Sequence, residues 1–312
     1  MEKMATRDAY GKALVKLGAL DPRVVVLDAD LSKSTKTADF KKHYPERFFN
    51  MGIAEQNLLG TAAGLAASGK IPFASTFAVF ATGRAFEQIR NSIAYTRLNV
   101  KIAATHAGLT VGEDGASHQA IADIAVMRAL PNMMVVVPAD GIEAEKAVLA
   151  AVEKDGPIYI RLGRSGVPVL FGQDYDFKFG KAAIMRSGTD ASVIACGIMV
   201  ADALKAAEEL EKEGIFVRVI NMATIKPIDQ EAVILAARET GAIVTAEEHS
   251  IIGGLGSAVA EVLAENAPTP LERVGVKDVF GESGKPQELL EKYGLTAKDI
   301  KEAVFRVIKR KS

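Results

Sequence analysis

The sequence holds 312 residues, 49% of them apolar and 25% charged, with a formal net charge of −1. That length accommodates two domains with cores of their own, and the balanced charge excludes an electrostatic grip on nucleic acid or on an anionic membrane surface. One cysteine, Cys196, excludes an internal disulfide, and no stretch reaches the roughly 18 consecutive apolar residues of a membrane helix.

The first four residues, Met1-Glu2-Lys3-Met4, carry no apolar signal core, so a cytoplasmic protein is expected. Residues 5 to 18 place Ala9, Ala13, Leu14 and Leu17 at helical spacing, and Gly18 stands where a C-cap would. Arg23-Val24-Val25-Val26-Leu27 predicts a buried strand. It runs into Asp28-Ala29-Asp30-Leu31-Ser32-Lys33-Ser34, an acid- and hydroxyl-rich turn at a strand's C-terminal end, where α/β folds bind ligands. The same composition would serve a plain loop.

Phe48-Phe49-Asn50-Met51-Gly52 reads as a short buried strand, and the Ala-, Leu- and Gly-rich segment from Leu58 to Ala66 as a closely packed helix. Glu55 falls at their junction. An acid in a first helical turn is commonly placed for the macrodipole, and a carboxylate with apolar residues on both sides is also what a dry catalytic pocket holds. Residues 70 to 80 predict a strand passing into a helix that continues to about Thr96, on which Phe77 and Phe80, three apart, share a face. Such a pair packs in a core or against a flat heterocycle.

The strand Asn99-Val100-Lys101-Ile102-Ala103-Ala104 opens into the longest polar, glycine-rich loop, residues 105 to 119, which holds His106, Glu113, Asp114 and His118. Proton-transfer groups gathered in a loop after a strand suit a site better than packing. A strand from Met133 to Pro138, a helix over 141–153 and a strand over 157–164 follow. The last delivers Arg164, whose forked guanidinium matches a phosphate or carboxylate. Residues 165 to 187 lose periodicity and read as an interdomain crossing.

From Asp190 a smaller βα set resumes, with strands over 191–196, 215–220 and 242–246 and helices over 200–212, 229–239 and 254–265. Ile252-Gly253-Gly254-Leu255-Gly256-Ser257 matches part of a dinucleotide glycine loop, without the acid that should follow. His249, beside Glu247 and Glu248, reads as an interface or capping residue. Two short helices over 286–311 close the chain. With four histidines and one cysteine, none at ligand spacing, no zinc site is expected.

Gly52-Ile53-Ala54-Glu55-Gln56-Asn57, Ser75-Thr76-Phe77 with Phe80, and Gly112-Glu113-Asp114-Gly115 with Ser117-His118-Gln119 come in an order and spacing that resembles the C-terminal half of transketolase. Enzymes of that family use thiamine diphosphate to move two-carbon ketol units between sugar phosphates. The resemblance spans essentially the whole chain and implies an α/β fold of two doubly wound domains. The larger, over 1–170, is a pyrimidine-binding domain with a parallel sheet. A linker over 171–188 leads to a smaller, mixed-sheet C-terminal domain over 189–312.

The resemblance further implies that Glu55 contacts the pyrimidine nitrogen opposite the cofactor's amino group. A proton there favours the imino tautomer, which removes the proton of the thiazolium carbon, and burial gives a carboxyl the raised pKa this sharing needs. It implies Phe77 and Phe80 around the ring, Asp30 near the thiazolium, and His118 and Asp114 facing the donor's hydroxyls. His106, Arg7, Ser34 and Arg164 would hold the substrate phosphate, and His106 and His118 would share the catalytic work with Glu55. A further aromatic of the family falls at Gly83 and is missing.

The family's Gly-Asp-Gly with a downstream Asn, which holds the diphosphate and its magnesium, is missing too: Asp114-Gly115, Asp140-Gly141 and Asp155-Gly156 each lack the preceding glycine. No metal ligand is therefore expected in this chain, and Mg2+ is expected on a partner. The expectation is the C-terminal subunit of a split transketolase of the pentose phosphate pathway. It would self-associate through its pyrimidine-binding domain and join an N-terminal subunit as α2β2. Alternatives are a fragment of 1-deoxy-D-xylulose-5-phosphate synthase, which shares a Gly-Ile-Ala-Glu-Gln stretch, the β subunit of a 2-oxo acid dehydrogenase, and a non-catalytic module that keeps the fold.

Overall fold

The computed structural model describes residues 2 to 311, so Met1 and Ser312 lie outside it. Strands β1 (Lys3–Ala5), β2 (Val24–Asp28), β3 (Phe48–Asn50), β4 (Ile71–Phe77), β5 (Lys101–Thr105), β6 (Met134–Val136) and β7 (Ile158–Arg161) alternate with helices α1 (Thr6–Leu20), α2 (Ser32–Thr35), α3 (Ala38–His43), α4 (Glu55–Ala67), α5 (Asp123–Ala129) and α6 (Gly141–Val152). After β8 (Gly166–Pro168) and β9 (Ala183–Arg186) come β10 (Ala191–Ala195), α7 (Met199–Glu211), β11 (Val217–Asn221), β12 (Thr224–Lys226), α8 (Gln230–Thr240), β13 (Ile243–Ser250), α9 (Leu255–Asn266), β14 (Leu271–Val276), α10 (Pro286–Lys292) and α11 (Ala297–Ile308).

The larger sheet runs β12-β6-β7-β5-β4-β2-β3 and is parallel except at β12. The smaller runs β14-β13-β10-β11-β9, with an antiparallel edge at β9. This is the α/β architecture of a parallel and a mixed sheet that the sequence leads one to expect. The central strands β2, β4 and β5 are buried along their whole length, which is why they read as apolar runs rather than alternating ones. Leu27, Leu58 and Ile102 pack on one face of the larger sheet and Tyr10, Leu14 and Phe73 on the other. The first of these cores continues without a break into the smaller sheet through Ile220 and Val259. Registers Asp28 to Ser75, Phe77 to Thr105 and Ala104 to Arg161 bring the strand ends that carry polar groups to one edge, the edge at which such sheets bind ligands. No helix among the described residues is long and apolar enough to cross a membrane.

Three local features differ from the sequence reading. The helix expected after Phe77 is wound wide, with π-helical segments at Phe80–Arg84 and Gln88–Ala94, a form often found at functional positions. Phe77 stays in β4, so it and Phe80 do not share a helix face. The stretch over 165–187 is not structureless: β8 pairs with β1, and β9 joins the smaller sheet. Asp140 Oδ2 anchors the start of the crossing by accepting the Leu170 and Phe171 N–H groups at 2.6 and 2.9 Å. Finally β12, from the C-terminal half, pairs with β6 and closes the larger sheet, so the two halves interlock. Gly52, at φ +70°, lets the chain reverse between β3 and α4, and α4 opens on Glu55 itself.

Candidate active site

Glu55 is the first residue of α4 and only 1% exposed. Its carboxylate lies in a first helical turn, where the dipole favours negative charge. Arg84, the last residue of the first wide turn, donates from Nη1 to Glu55 Oε2 at 2.7 Å. The same guanidinium lies 4.5 Å over the Phe80 ring.

Phe77 at the end of β4 and Phe80 just beyond have ring centroids 6.0 Å apart and planes 13° from parallel. His106 stacks on Phe77 at 3.8 Å, and His118 meets Phe80 edge-on at 5.3 Å and Phe77 at 6.3 Å. Both loop histidines thus converge on the aromatic pair. His106 sits at φ +57° directly after β5 and is 3% exposed. Its Nε2 is 3.1 Å from Arg7 Nη1 and its Nδ1 2.9 Å from Thr105 Oγ1. A guanidinium can only donate, so Nε2 is the acceptor and Nδ1 carries the proton. Burial first, then the charges of Arg7 and Arg164 and the neighbouring His118, push its pKa down to about 3, so His106 is a neutral imidazole.

Arg7, in the first turn of α1, also donates to the Ser34 backbone carbonyl at 3.0 Å. It therefore meets Ser34 through the main chain rather than the hydroxyl. Arg7 Nε is buried with no partner among the described residues, a donor left over for a ligand. Arg164 Nη1 donates to the Val111 carbonyl at 2.5 Å and lies 3.7 Å from Asp114 Oδ2. His118 Nδ1 is 2.9 Å from Ser117 Oγ. Asp30, exposed at φ +65°, accepts from Asn50 Nδ2 at 2.8 Å. That partner ends β3, at the same sheet edge, rather than in the aromatic cluster.

Residues 2–169 match the transketolase pyrimidine-binding domain and residues 180–300 the transketolase C-terminal domain. The chain belongs to the transketolase family. The putative transketolase C-terminal section of Methanocaldococcus jannaschii is 50% identical over 307 residues, covering 97% of this chain and 96% of its own length. The 6-deoxy-6-sulfo-D-fructose transketolase subunit SqwH of Clostridium sp. (strain MSTE9) is 46% identical over 312 residues, 100% of this chain and 97% of its own. Among solved structures, a split gene transketolase described as an inactive β4 tetramer is 64% identical, with a TM-score of 0.94 over 99% of this chain and 100% of that one.

Transketolases with this pyrimidine-binding domain imply thiamine diphosphate, and the residues present fit its ring: a buried carboxylate to meet a ring nitrogen, a half-buried Phe80 beside it, and open space around Gly83. Among the described residues no group of three or more His, Cys, Asp or Glu side chains is placed to hold a metal ion.

Three residues that sequence reasoning did not assign lie in or beside this cluster. Arg84 lies four residues after Phe80, a spacing that puts the two side by side, but its reach to Glu55, 29 residues away, is not local. Asp28 was visible in the acid-rich turn, but not its role: fully buried, it accepts from Thr35 Oγ1 at 2.6 Å, Thr37 Oγ1 at 2.9 Å and the Leu31 N–H at 2.5 Å. These bonds fold the turn that presents Asp30 and Ser34. Glu248 reaches the loop of His106 and His118 from β13, accepting the Thr110 N–H at 2.6 Å. The glycine run over 252–257, by contrast, holds no phosphate cradle. The Leu255 and Gly256 N–H groups at the start of α9 are taken by the Glu247 carboxylate at 2.7 and 2.8 Å.

Proposed function

We propose that this chain is the C-terminal subunit of a two-subunit transketolase. It transfers a two-carbon ketol unit between sugar phosphates with thiamine diphosphate once assembled with an N-terminal subunit that brings the diphosphate and magnesium ligands. The observation that carries this reading is the convergence on one sheet edge of a buried Glu55, the Phe77–Phe80 pair and both histidines of the 106–119 loop. Relatives named a C-terminal section and a subunit match along nearly their whole length, which supports a split enzyme. A relative described as an inactive β4 tetramer supports self-association and the need for another chain. Ketose phosphate chemistry of this kind belongs to pentose phosphate metabolism, and the lone, buried Cys196 supports the cytosol.

Bound thiamine diphosphate supplies an acidic thiazolium carbon and an electron sink for cleaving the bond next to a ketose carbonyl. This chain's residues prepare that chemistry. The Glu55 carboxyl would share a proton with the pyrimidine nitrogen, and Phe77 and Phe80 would line the ring's pocket and keep water away from it. Asp30 would flank the thiazolium side. His118, lying between the aromatic pair and the polar loop, and Asp114 hydrogen-bond the donor's hydroxyls. Arg7 and Arg164 grip the substrate phosphate, with the Ser34 carbonyl and the neutral His106 fixing Arg7 in place.

Reconstitution tests the reading. The isolated chain is expected to show no ketol transfer, and addition of an N-terminal subunit carrying Gly-Asp-Gly should restore it with ketose phosphate donors. Glu55→Gln should then lower turnover by about a hundredfold or more. Turnover by the chain alone would refute the split enzyme. Activity only in condensing pyruvate with glyceraldehyde phosphate would make it a synthase instead.

A further inference from the structure

The 106–119 loop is costly to order. Gly108, Gly112 and Gly115 all take left-handed backbone, at φ +80°, +85° and +76°, and glycines bring the greatest loss of chain entropy on ordering. The first half of the chain secures the base, through the Ala107 N–H to the Leu162 carbonyl at 3.2 Å and the Gly108 N–H to the Ala120 carbonyl at 2.9 Å, and holds the next turn through Arg164 Nη1 to the Val111 carbonyl at 2.5 Å and Ser165 Oγ to the Thr110 carbonyl at 3.3 Å. The body, which carries Asp114 and His118, is tied down by the other half as well.

There are three ties. Glu248 Oε1 accepts the Thr110 N–H at 2.6 Å, and its carboxyl lies flat on Gly108, where a Cβ would come within 2.2 Å of Glu248 Cδ. Ser283 Oγ donates to the Glu113 carbonyl at 2.6 Å. Gln119 Nε2 donates to the Glu282 carbonyl at 2.9 Å, beneath a Gly281 whose missing side chain makes the room: a Cβ there would stand 1.9 Å from Gln119 Oε1. Glu248 is itself held, since its backbone carbonyl accepts from Arg161 Nη2 at 2.9 Å, and it is 4% exposed. A carboxylate is costly to bury and needs hydrogen bonds to stay there, and here it is directed at the main chain of a ligand-binding loop.

We infer that Glu248 and the turn over 281–284 are positioning elements that set the geometry of Asp114 and His118 and, through them, the affinity for the donor sugar. This gives the C-terminal half a role in the active site without touching substrate or cofactor. The inference rests on the transketolase reading for what the loop binds, while the clamp itself stands on the contacts above.

The test uses Glu248→Ala, Glu248→Gln and Ser283→Ala in the full chain reconstituted with its N-terminal subunit. The alanine variants are expected to raise the donor KM by about tenfold, in line with the cost of misplacing a group by a fraction of an ångström. Thiamine diphosphate affinity should stay within about twofold, because Glu55 and the aromatic pair lie outside the clamp. Glu248→Gln keeps an oxygen to accept the Thr110 N–H and should recover most of the loss. Wild-type KM in both alanine variants, an equal loss of cofactor affinity, or a glutamine variant as impaired as alanine would each overturn the inference.

Amide hydrogen exchange of the isolated full chain gives a second readout. Residues 108–119 should exchange faster in the alanine variants while α4 and β4 do not change, and unaltered loop exchange overturns the clamp whatever the enzyme does. Faster loop exchange in an assembly whose wild type transfers no ketol unit would sustain the clamp and refute the transketolase reading.

Discussion

Arg84 occupies Glu55: its guanidinium donates to the buried carboxylate at 2.7 Å and covers the Phe80 ring at 4.5 Å. That is the space a pyrimidine would need to touch the acid and the aromatic ring together, so on the function proposed above cofactor binding would displace this side chain. Arg84 is half exposed, and letting a guanidinium of that kind swing into water is inexpensive. Arg84→Met keeps the stem and removes the competitor. The isolated variant is expected to lose about 1 kcal/mol of stability, because Glu55 loses its partner, while the assembled enzyme binds thiamine diphosphate more tightly. Calorimetric titration with the cofactor and magnesium decides the point. Weaker binding in the variant would mean that Arg84 contributes to the bound state instead.

Glu55 was legible in the sequence because its setting is local: a short apolar strand, a glycine turn and a helix rich in small residues leave a single acid at the junction. The parallel strands were legible for a similar reason, since burial on both faces makes Val24–Asp28 and Ile71–Phe77 continuous apolar runs. What decides the chemistry around Glu55 was not. Its contact with Arg84 spans 29 residues, and a helical reading puts both aromatics on one helix face, whereas Phe77 belongs to β4 and only Phe80 to the helix. The strands at Gly166–Pro168 and Thr224–Lys226 are too short for a period to show, and their partners lie far along the chain. Glu248 and Thr110 are 138 residues apart, a pairing that no local pattern encodes.

Arg161 and Asp123 form an ion pair at 2.8 Å with side chains 6% and 0% exposed. Burial opposes the charge on Asp123, but Arg161 and His249 hold its carboxyl below the ordinary range. Arg161 also donates to the Ala120 and Glu248 carbonyls at 3.0 and 2.9 Å, so one guanidinium joins β7, the loop end and β13. Arg161→Met leaves Asp123 buried without its cation and should cost about 3–5 kcal/mol. Adding Asp123→Leu removes the stranded charge and should return at least half of that loss, because replacing both partners of a buried pair is far milder than removing one. Urea titration of the two single variants and the double measures the coupling. Simple additivity would show that the two buried side chains are not coupled.

His106 makes a pH prediction. Its pKa falls from the ordinary 6.5 to about 3 in the folded chain, so between those values the unfolded chain binds a proton that the folded one does not. Stability from this group is therefore complete above pH 6.5 and is lost as pH falls towards 3. Glu143 tilts the other way over part of the same window: burial, with the nearby Asp140, lifts its pKa from 4.5 to about 7, and its contribution falls as pH rises. The His106 contribution is thus read as a difference between wild type and His106→Asn. Going from pH 7 to pH 5, wild type should lose about 2 kcal/mol more than the variant, one and a half pKa intervals at about 1.4 kcal/mol each. Denaturant titrations at the two pH values supply the comparison, and parallel losses would mean that His106 takes up its proton in the folded chain, breaking the Nε2 contact with Arg7.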